Sequence, residues 1–383
     1  MNELRTTALI LLLTAAAVAG PPGTFRQQVL ASVEPLVEAR INKGDFPGCV
    51  VEIGRQSGPL LTVAYGERSV EPSREAMTVD TVFDLASLTK PVATATCVMQ
   101  LIEEGALRLR TPVADVLPEF AQNGKGRIRV EHLLTHAGGL IADNPIGDYR
   151  DGPQRAWERI NALTPLAAPG ERFIYTDVGF LCLGRIVETL RGEPLDRVAR
   201  QRVFQPLGML ETGYTPSDEL TARIAPTEQQ DGEWLRGRVH DPRAALLGGV
   251  AGHAGLFSTA ADLGRYARAM LGGGALADAR VLSPAAVSQM TQPREVAGVA
   301  KRALGWDARS GYSSNRGDLM SGRAFGHGGF TGTGMWIDPE LDLYVIFLSN
   351  RLHPDGKGTV NDLIGRIGSI AAAQVTALSD AED

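Results

Sequence analysis

The chain of 383 residues is 44% hydrophobic and 21% charged, a composition typical of a globular protein with a sizeable core. Its formal net charge is −6, and it contains no basic run or aromatic-basic stripe, so we expect no nucleic-acid partner. Its 44 glycines and 22 prolines predict many loops between the secondary-structure elements.

Residues 1–19 predict an export signal rather than a part of the fold. Arg5 and the terminal amine precede an apolar run at residues 8–19, and the sequence Ala-Val-Ala that ends at Ala19 suits a signal-peptidase site. The run is too short for a comfortable membrane span, although an uncleaved anchor is the alternative. We therefore expect cleavage after Ala19, an exported or periplasmic protein with a single domain at residues 20–383, and no stable membrane insertion after cleavage.

The mature chain begins with one predicted helix and one predicted β-hairpin. Residues 25–42 carry apolar side chains at helical spacing, which predicts an amphipathic helix. Residues 48–55 and 60–65 alternate or run apolar on either side of a Gln-Ser-Gly-Pro turn, which predicts two paired antiparallel strands.

Ser87 and Lys90 form the only Ser-x-x-Lys pair in the sequence, just ahead of an apolar helix predicted at residues 92–101. This spacing places both side chains on one helix face, so that the ammonium can touch the hydroxyl. A serine becomes a nucleophile when a neighbouring base takes its proton, and a buried lysine can be that base. The first N–H groups of the helix suit a developing oxyanion. A capping serine beside an incidental lysine is the structural alternative.

Neither the cysteines nor a pair of histidines predicts a metal site. Cys49, Cys97 and Cys182 lie in apolar stretches whose spacing fits neither a metal site nor a redox pair, so we expect buried hydrophobic side chains. His132 and His136 stand four residues apart, as in a metal-binding helix, but the general-base glutamate is missing between them and no third ligand is evident. We expect these two histidines to serve helix packing and capping.

Tyr175 lies where a short extended segment meets an apolar helix predicted at residues 178–190. A tyrosine at such a junction can point its hydroxyl into a cleft. Beside a lysine ammonium, the phenol would shift toward phenolate and act as a base or a proton relay. A packed tyrosine whose hydroxyl binds the backbone is the structural alternative.

Residues 105–300 consist mostly of predicted short helices separated by glycine and proline. Within this region His253 lies in a glycine-rich loop, and we regard it as a candidate substrate-binding residue that lines the cleft. His240 and Asp241 precede that loop, and the sequence leaves their roles open.

The sequence His327-Gly328-Gly329-Phe330 precedes an apolar strand predicted at residues 331–338. Glycines let a backbone approach a ligand closely. A strand beside the nucleophile could offer the Phe330 N–H as a second oxyanion donor, next to the N–H of the candidate nucleophile. A glycine-rich hairpin turn is the alternative.

A second apolar strand is predicted at residues 341–350, and a final amphipathic helix at 359–375. Because strands occur near both ends of the chain with helices between them, we expect an α+β fold. Its antiparallel sheet would combine the N- and C-terminal strands, with flanking helices and an inserted, mostly helical region at about 105–300.

Three elements in this order resemble the serine β-lactamase and penicillin-binding protein superfamily: Ser-x-x-Lys at 87–90, Tyr-x-Asp at 175–177 and His-x-Gly at 327–329. The stretches at 249–263 and 304–307 look similar as well. The resemblance extends over most of the mature chain. The resemblance is strongest to the class C β-lactamase-like branch, which includes DD-carboxypeptidases and esterases.

The resemblance implies a role for each candidate residue. Ser87 would be the nucleophile, Lys90 its helical partner and Tyr175 the general base. The N–H groups of Ser87 and Phe330 would form the oxyanion hole. The residues proposed to bind substrate are Asp177, His327, Gly328, Gly329 and His253. No metal or organic cofactor is implied.

Two residues depart from the pattern of that superfamily. Asp177 replaces the usual asparagine, and its carboxylate would favour a charged Lys90, which leaves Tyr175 as the stronger candidate base. His327 replaces a lysine and, with an ordinary pKa near 6.5, would be mostly neutral at pH 7 and above. We therefore expect uncharged esters to outperform carboxylate-bearing β-lactams at pH 8, and carboxylate binding to improve toward pH 6.

The sequence as a whole predicts an exported serine hydrolase that forms an acyl-enzyme at Ser87 with esters or D-amino-acid amides. Its substrate would be a small molecule or a cell-wall peptide, as for an esterase or a D-Ala-D-Ala carboxypeptidase. A β-lactamase, or a non-catalytic protein that binds penicillin or peptidoglycan, is the alternative. The complete set of Ser87, Lys90 and Tyr175 favours an enzyme, whereas the sequence does not rank esters against peptides or indicate an oligomeric state.

Overall fold

The structure of the protein, a computed structural model, describes the backbone of residues 23–382 and the side chains of residues 25–375. The predicted export signal at residues 1–19 lies outside the described residues. Within the described part of the chain, none of the helices combines the length and apolarity that a membrane span requires.

The helical elements surround a central sheet. The α-helices are, in chain order, α1 (Gly23–Lys43), α2 (Thr96–Glu103), α3 (Val113–Val116), α4 (Val130–Leu134), α5 (Pro153–Ala162), α6 (Asp177–Arg191), α7 (Leu195–Ala199), α8 (Gln205–Leu207), α9 (Asp218–Thr221), α10 (Pro242–Leu246), α11 (Ala260–Leu271), α12 (Pro284–Thr291) and α13 (Asn361–Glu382). Segments of 3₁₀-helix lie at Ala86–Leu88, Pro118–Arg127, Ile146–Tyr149 and Ser313–Asn315, and π-helical segments lie at Lys90–Ala95 and Arg200–Phe204.

The strands fall into one large sheet and several small ones. They are, in chain order, β1 (Gly48–Arg55), β2 (Gly58–Ser69), β3 (Glu75–Ala76), β4 (Phe83–Asp84), β5 (Gly213–Tyr214), β6 (Gln229–Gln230), β7 (Glu233–Trp234), β8 (Leu256–Ser258), β9 (Ala275–Leu276), β10 (Ala279–Arg280), β11 (Arg294–Val296), β12 (Ala300–Arg302), β13 (Asp307–Arg309), β14 (Phe325–Gly329), β15 (Thr333–Asp338) and β16 (Leu343–Ser349).

The large sheet joins the two ends of the chain. Its strand order is β11-β12-β13-β14-β15-β16-β1-β2-β3, and neighbouring strands are antiparallel. The N-terminal hairpin meets the C-terminal one where β1 pairs with β16, with Cys49 opposite Ser349 and Gly54 opposite Tyr344. The α+β fold predicted from the strands near both chain ends is therefore confirmed.

Both faces of the central strands are covered, which explains why these strands are apolar on both sides. Val51 and Ile53 of β1 pack into a core with α1 and α13, the two terminal helices that the sequence predicts. Val50 lies on the opposite face, in a second core shared with α2, α6 and α11. This second core joins the sheet to the helical region, and the candidate functional residues lie where these two parts meet.

The sheet extends further than the sequence predicts, through β11, β12 and β13 at one edge. Each of these strands has three residues, and Arg294, Lys301, Arg302 and Asp307 lie within them. Strands this short and this charged give no alternating apolar signal. The region 105–300, predicted as mostly helical, also contains the strands β5 to β10. The sequence did not predict them because strands of two or three residues are too short to show an alternating pattern.

Glu52 of β1 is a buried carboxyl group that faces α11. A Cβ atom on Gly264 of α11 would lie 2.1 Å from Glu52 Oε1, so the helix approaches closely. The carboxyl oxygens accept hydrogen bonds from the Tyr344 hydroxyl at 3.0 Å and the Thr62 hydroxyl at 3.0 Å. Burial raises the pKa of Glu52 to about 7, although these hydrogen bonds favour the ionised form.

Glu52→Gln should flatten the dependence of stability on pH. Because the pKa of about 7 in the folded protein exceeds the ordinary 4.5, the folded state binds the proton more tightly than the unfolded state. The free energy of unfolding therefore falls as the pH rises from about 4.5 to 7, by about 3 kcal/mol in total. Denaturant unfolding at pH 5 and pH 8 measures this loss, which the glutamine variant should not show.

Glu119→Gln is the matched control for this experiment, because Glu119 is exposed. It should keep the pH dependence of the parent protein. The same pH dependence in Glu52→Gln as in the parent would contradict the prediction.

Candidate active site

Ser87 lies on a tight turn between β4 and the helix that ends in α2. Ala86 before it adopts a left-handed backbone conformation with a φ of 45°, which is uncommon for a residue other than glycine. The Asp84 carboxylate holds this turn by accepting the Ala86 N–H at 2.9 Å and the His240 N–H at 2.7 Å. Ser87 is partly exposed, whereas its neighbours on both sides are buried. The turn therefore presents the serine hydroxyl at the surface of the core.

The helix that follows Ser87 is not α-helical in its first turns. The predicted helix at 92–101 begins as a 3₁₀ segment, Ala86–Leu88, and continues as a π-helical segment, Lys90–Ala95, before α2. Such π-helical segments are frequent at functional sites. The change of helix type alters the geometry assumed from the sequence, but Ser87 and Lys90 still face each other.

The turn between β14 and β15 is docked against the turn that carries the candidate nucleophile. Thr331 Oγ1 donates to the Asp84 carbonyl oxygen at 2.7 Å, and Thr333 Oγ1 donates to the Leu85 carbonyl oxygen at 3.1 Å. A Cβ atom on Gly329 would lie 2.4 Å from the Leu85 carbonyl oxygen, so this approach requires glycine. The glycine-rich strand predicted beside the nucleophile is thus in place.

Phe330 lies at the tip of this turn with its ring 60% exposed. The ring stacks on His240, with centroids 5.3 Å apart, and the Arg351 guanidinium lies 4.6 Å from its centre. Gly328, Gly329 and Phe330 line one cavity together with Ser87. The role of the Phe330 N–H as an oxyanion donor stays a prediction.

The Lys90 side chain is fully buried, with several acceptors around its ammonium. Nζ lies 3.0 Å from Ser87 Oγ, 3.1 Å from the His253 carbonyl oxygen and 2.6 Å from Asp177 Oδ1. Burial alone would lower the pKa of Lys90, but the Asp177 carboxylate and, after it, Tyr175 together outweigh burial, and the pKa is raised. Lys90 is therefore a charged ammonium in the resting protein, in agreement with the effect expected of Asp177.

Tyr175 is fixed in position by the residue that follows it. Thr176 caps α6 by accepting the Gly179 N–H at 3.3 Å, and its own N–H donates to His136 Nδ1 at 3.1 Å. The His136 ring stacks on the Tyr175 ring at 4.4 Å between centroids. The Lys90 ammonium lies 5.0 Å from the centre of the same tyrosine ring. The capping bond and the ring contacts hold Tyr175 beside Lys90.

The protonation state of Tyr175 differs from the sequence-based expectation. Burial raises the pKa of Tyr175, and this effect outweighs the Lys90 charge and the hydrogen bonds with Ser87 and Lys90 that lower it. The Asp177 carboxylate raises it further. The predicted shift to a phenolate is therefore wrong: Tyr175 is a neutral phenol at rest, and it suits a relay that gives up its own proton as it takes another.

His253 does not line the cavity, contrary to expectation. It is buried behind Lys90, to which its carbonyl oxygen is bound, and its ring Nε2 lies 2.9 Å from Asp241 Oδ1. Asp241 in turn caps α10 by accepting two backbone N–H groups. The geometry assigns His253 and Asp241 to the support of Lys90, because the loop between α10 and β8 folds inward instead of over the cleft.

Asp177, Asp241 and His253 bring possible metal-ligand atoms within 4.8 Å of one another. The Lys90 ammonium, 2.6 Å from Asp177 Oδ1, already supplies a positive charge to this group. A metal ion would have to compete with that ammonium, so we assign the group to charge compensation. The two histidines four residues apart have other contacts as well. His132 takes part in a capping box at the start of α4, and His136 Nδ1 accepts the Thr176 N–H.

One cavity of about 410 Å³ contains the candidate nucleophile. Its walls are formed by Ser87, Tyr175, Arg302, Asp307, Tyr312, Asn315, His327, Gly328, Gly329, Phe330, Arg351, Gly358, Thr359, Val360 and Asn361. The charged residues of this lining are two arginines and one aspartate. The cavity thus has a net positive lining in a chain whose formal net charge is −6.

His327 lines this cavity, but its charge state differs from the expectation. Burial, together with the charges of Arg302 and Lys90, holds the pKa of His327 well below 6.5. His327 therefore stays neutral at pH 6, so its protonation gives no reason to expect stronger carboxylate binding toward pH 6. Its Nδ1 lies 2.7 Å from the Gly328 carbonyl oxygen, which can only accept, so Nδ1 carries the proton and Nε2 is an acceptor.

Sequence reasoning missed several residues of the cavity wall. Arg302 lies two residues before the stretch at 304–307 and Asp307 is its last residue, so this stretch was the available signal. Tyr312 stacks on Tyr175 with centroids 4.8 Å apart, but it lies in a loop without any regular pattern. Positions on short strands and loops give no periodic signal from which their neighbours could be inferred.

Comparison with known proteins gives one family. A family model described as Beta-lactamase matches residues 33–368 of the chain. A protein of Escherichia coli strain K12 with the name "Putative D-alanyl-D-alanine carboxypeptidase" is 34% identical over an alignment of 308 positions, and the match covers 72% of this chain and 70% of that protein. N-acetylmuramyl-L-alanine amidase of Bacillus subtilis strain 168 is 33% identical over 371 residues, 86% of this chain and 82% of that protein.

A solved structure of a family VIII carboxylesterase has the same fold. It superposes with a TM-score of 0.72 and covers 94% of this chain and 100% of its own, at 19% sequence identity. Likeness at that identity concerns the fold alone.

Asp177→Asn should move the pH dependence of activity to lower pH. Burial and the Lys90 charge have the largest effects on the pKa of Tyr175, and the Asp177 carboxylate comes next and raises this pKa. The same carboxylate raises the pKa of Lys90. Whichever of the two takes the Ser87 proton, its pKa falls when the carboxylate is removed. The rising limb of kcat/KM for 4-nitrophenyl acetate, measured from pH 6 to pH 11 and corrected for uncatalysed hydrolysis, should therefore shift downward in pH.

Asp143→Asn is the matched control, because Asp143 lies near Asp177 but pairs with Arg243 at 3.7 Å. It should leave the midpoint of the pH profile nearly unchanged. A midpoint in Asp177→Asn that stays in place or moves to higher pH would show that Asp177 does not set the basicity of the site.

Proposed function

This chain belongs to the beta-lactamase family of serine hydrolases, and we propose that it is an exported enzyme that forms an acyl-enzyme at Ser87 with D-amino-acid amides of cell-wall peptides or with esters. The observation that carries the proposal is the contact of the Lys90 ammonium with Ser87 Oγ at 3.0 Å, at the wall of the cavity. Tyr175, which hydrogen-bonds to both residues, completes the set of groups needed for acyl transfer.

In the proposed cycle, the neutral Tyr175 acts as a proton relay: it takes the hydroxyl proton of Ser87 as Oγ attacks the carbonyl carbon of the substrate, and in the same step it gives its own hydroxyl proton toward the leaving nitrogen or oxygen. The Lys90 ammonium stabilises the negative charge that develops on the two oxygens. The N–H groups of Ser87 and Phe330 would bind the oxyanion, and the leaving amine or alcohol would depart with the proton from Tyr175. Water then attacks the acyl-enzyme by the same steps and releases the acid.

Two features support cell-wall amides as substrates. The relatives at 34% and 33% identity are named for D-alanyl-D-alanine and N-acetylmuramyl-L-alanine bonds, both of which occur in cell-wall peptides. The net positive lining of the cavity suits substrates with a free carboxylate. Weak binding of carboxylates was expected because His327 is neutral, but the two arginines of the lining supply the missing positive charge. A β-lactamase, whose substrates carry a carboxylate, is therefore the alternative that the experiment must test.

Cleavage of the muramyl–alanine amide is a second candidate function. The Bacillus subtilis relative with that activity in its name covers 86% of this chain. At the cavity, Tyr312 is 54% exposed and Phe330 is 60% exposed. Exposed aromatic rings beside a nucleophile offer apolar surface to a sugar ring, which a muramyl substrate carries next to its scissile amide.

A substrate panel tests the proposal: a D-Ala-D-Ala peptide, a muramyl-L-alanine peptide, 4-nitrophenyl acetate and a fluorescent penicillin. We expect release of D-alanine and of 4-nitrophenol by the parent, and one penicillin label per chain on the peptide that contains Ser87. Ser87→Ala should lose all of these activities. Turnover or labelling that survives in Ser87→Ala would refute the nucleophile, and labelling without any turnover would identify a binding protein.

Tyr175→Phe should lower kcat/KM for the ester by roughly 10²–10⁴-fold, the usual contribution of a positioned base. The variant keeps the ring that stacks on His136, so the fold should be retained. Tyr266→Phe is the matched control: it removes a buried phenol hydroxyl that bonds Thr96 at 2.8 Å, outside the cavity. Near-full activity of Tyr175→Phe beside an inactive Lys90→Ala would instead make Lys90 the base.

A further inference from the structure

Arg302 is a fully buried arginine in the wall of the candidate active site. It lies at the end of β12, and the antiparallel register places it opposite Asp307 of β13. Its Nη1 lies 3.1 Å from Asp307 Oδ1, but none of its three nitrogen atoms has a hydrogen-bond partner among the described residues. A guanidinium carries five N–H donors, and leaving buried donors unpaired is costly.

The pair with Asp307 accounts for the charge of Arg302 but not for its donors. Asp307 Oδ2 accepts a hydrogen bond from the Ser313 hydroxyl at 2.8 Å, so only Oδ1 faces the guanidinium. On the other side, the guanidinium lies 5.7 Å from the centre of the Phe173 ring, which offers no acceptor. The remaining direction is the cavity that Arg302 shares with Ser87.

The other titratable groups near Arg302 do not neutralise it. His136 and His327 are both buried, and after burial the charge of Arg302 is the next cause that lowers the pKa of each. Both rings are therefore neutral, and the protonation of His327 on Nδ1 leaves only a lone pair at Nε2. A lone pair repels a carboxylate, so His327 does not serve as the anion-binding group.

We propose that Arg302, and not His327, anchors the carboxylate of the substrate in this cavity. The inference rests on the proposed function, since it names the group that recognises the free carboxylate of a leaving D-amino acid. A carboxylate offers two acceptors in one plane, which match the forked N–H groups of a guanidinium. His327 Nε2 would accept an N–H or O–H of the same substrate. Anchoring one end in this way turns the scissile carbonyl toward Ser87.

The test compares two esters that differ by one carboxylate, 4-nitrophenyl acetate and 3-carboxy-4-nitrophenyl acetate, each corrected for its uncatalysed hydrolysis. In the parent we expect kcat/KM to favour the carboxylated ester. In the double variant Arg302→Gln/Asp307→Asn, which removes both charges of the pair, that preference should fall by roughly 10–100-fold, mainly through KM. Arg302→Lys, which keeps the charge but not the fork, should give an intermediate loss.

Two arginines serve as comparisons. Arg309→Gln removes an exposed arginine of the neighbouring strand β13 and should keep the preference of the parent. Arg351→Gln examines the other arginine of the cavity wall. Loss of the preference in Arg351→Gln, with retention in the Arg302 variants, would overturn the proposal.

Circular dichroism shows whether the double variant is folded. If it is not, the inhibition of 4-nitrophenyl acetate hydrolysis by D-Ala-D-Ala and by its C-terminal amide is compared in the parent and in Arg302→Lys. The difference between the two inhibition constants should shrink in the lysine variant, and an unchanged difference would refute the role of Arg302.

The ester pair also separates this inference from the proposed function. A parent protein that prefers the carboxylated ester but releases no D-alanine would refute the proposed substrate and leave Arg302 as the anion anchor. A parent that releases D-alanine but shows no preference between the two esters would refute the role of Arg302 alone.

Discussion

The buried ammonium of Lys90 is the constraint on which the rest of the site depends. An unpaired ammonium in a protein interior would lose its proton or destabilise the fold. Here its Nζ lies 2.6 Å from Asp177 Oδ1, 3.0 Å from Ser87 Oγ and 3.1 Å from the His253 carbonyl oxygen, and it also hydrogen-bonds the Tyr175 hydroxyl. The ammonium is therefore a fixed positive charge, and proton transfer falls to a neighbour.

In the proposed cycle Tyr175 is that neighbour, and the protonation states of Lys90 and Tyr175 are set by different surroundings. The Asp177 carboxylate keeps Lys90 charged, while burial keeps Tyr175 protonated against the pull of the same ammonium. Environments that hold two titratable groups in different states are the usual basis for dividing acid–base work between them. Asp177 acts on both groups at once, so the residue that departs from the family pattern sets the balance of the site.

Local sequence signals predicted the parts of this site that depend on local geometry. The spacing of Ser87 and Lys90, the junction at Tyr175 and the alternating strands near both chain ends are each readable within about ten residues. The inward fold of His253 depends on long-range packing, and the neutral state of His327 depends on burial and on the distant Arg302. Such properties have no local signal, which is why the sequence placed His253 in the cleft and gave His327 an ordinary pKa.

The two departures from the family pattern, His327 and Asp177, both make the site less positive. With His327 in place of a lysine, the third motif loses a positive charge, and with Asp177 a negative charge is added beside Lys90. A cavity with only these changes would repel anions, yet Arg302 and Arg351 in its wall make the lining net positive. Arg351 follows β16, whereas Arg302 lies on β12, two strands away from His327 on β14. A carboxylate bound at Arg302 would approach Ser87 from the far side of β14, which restricts the shape of substrate that can place its carbonyl at the nucleophile.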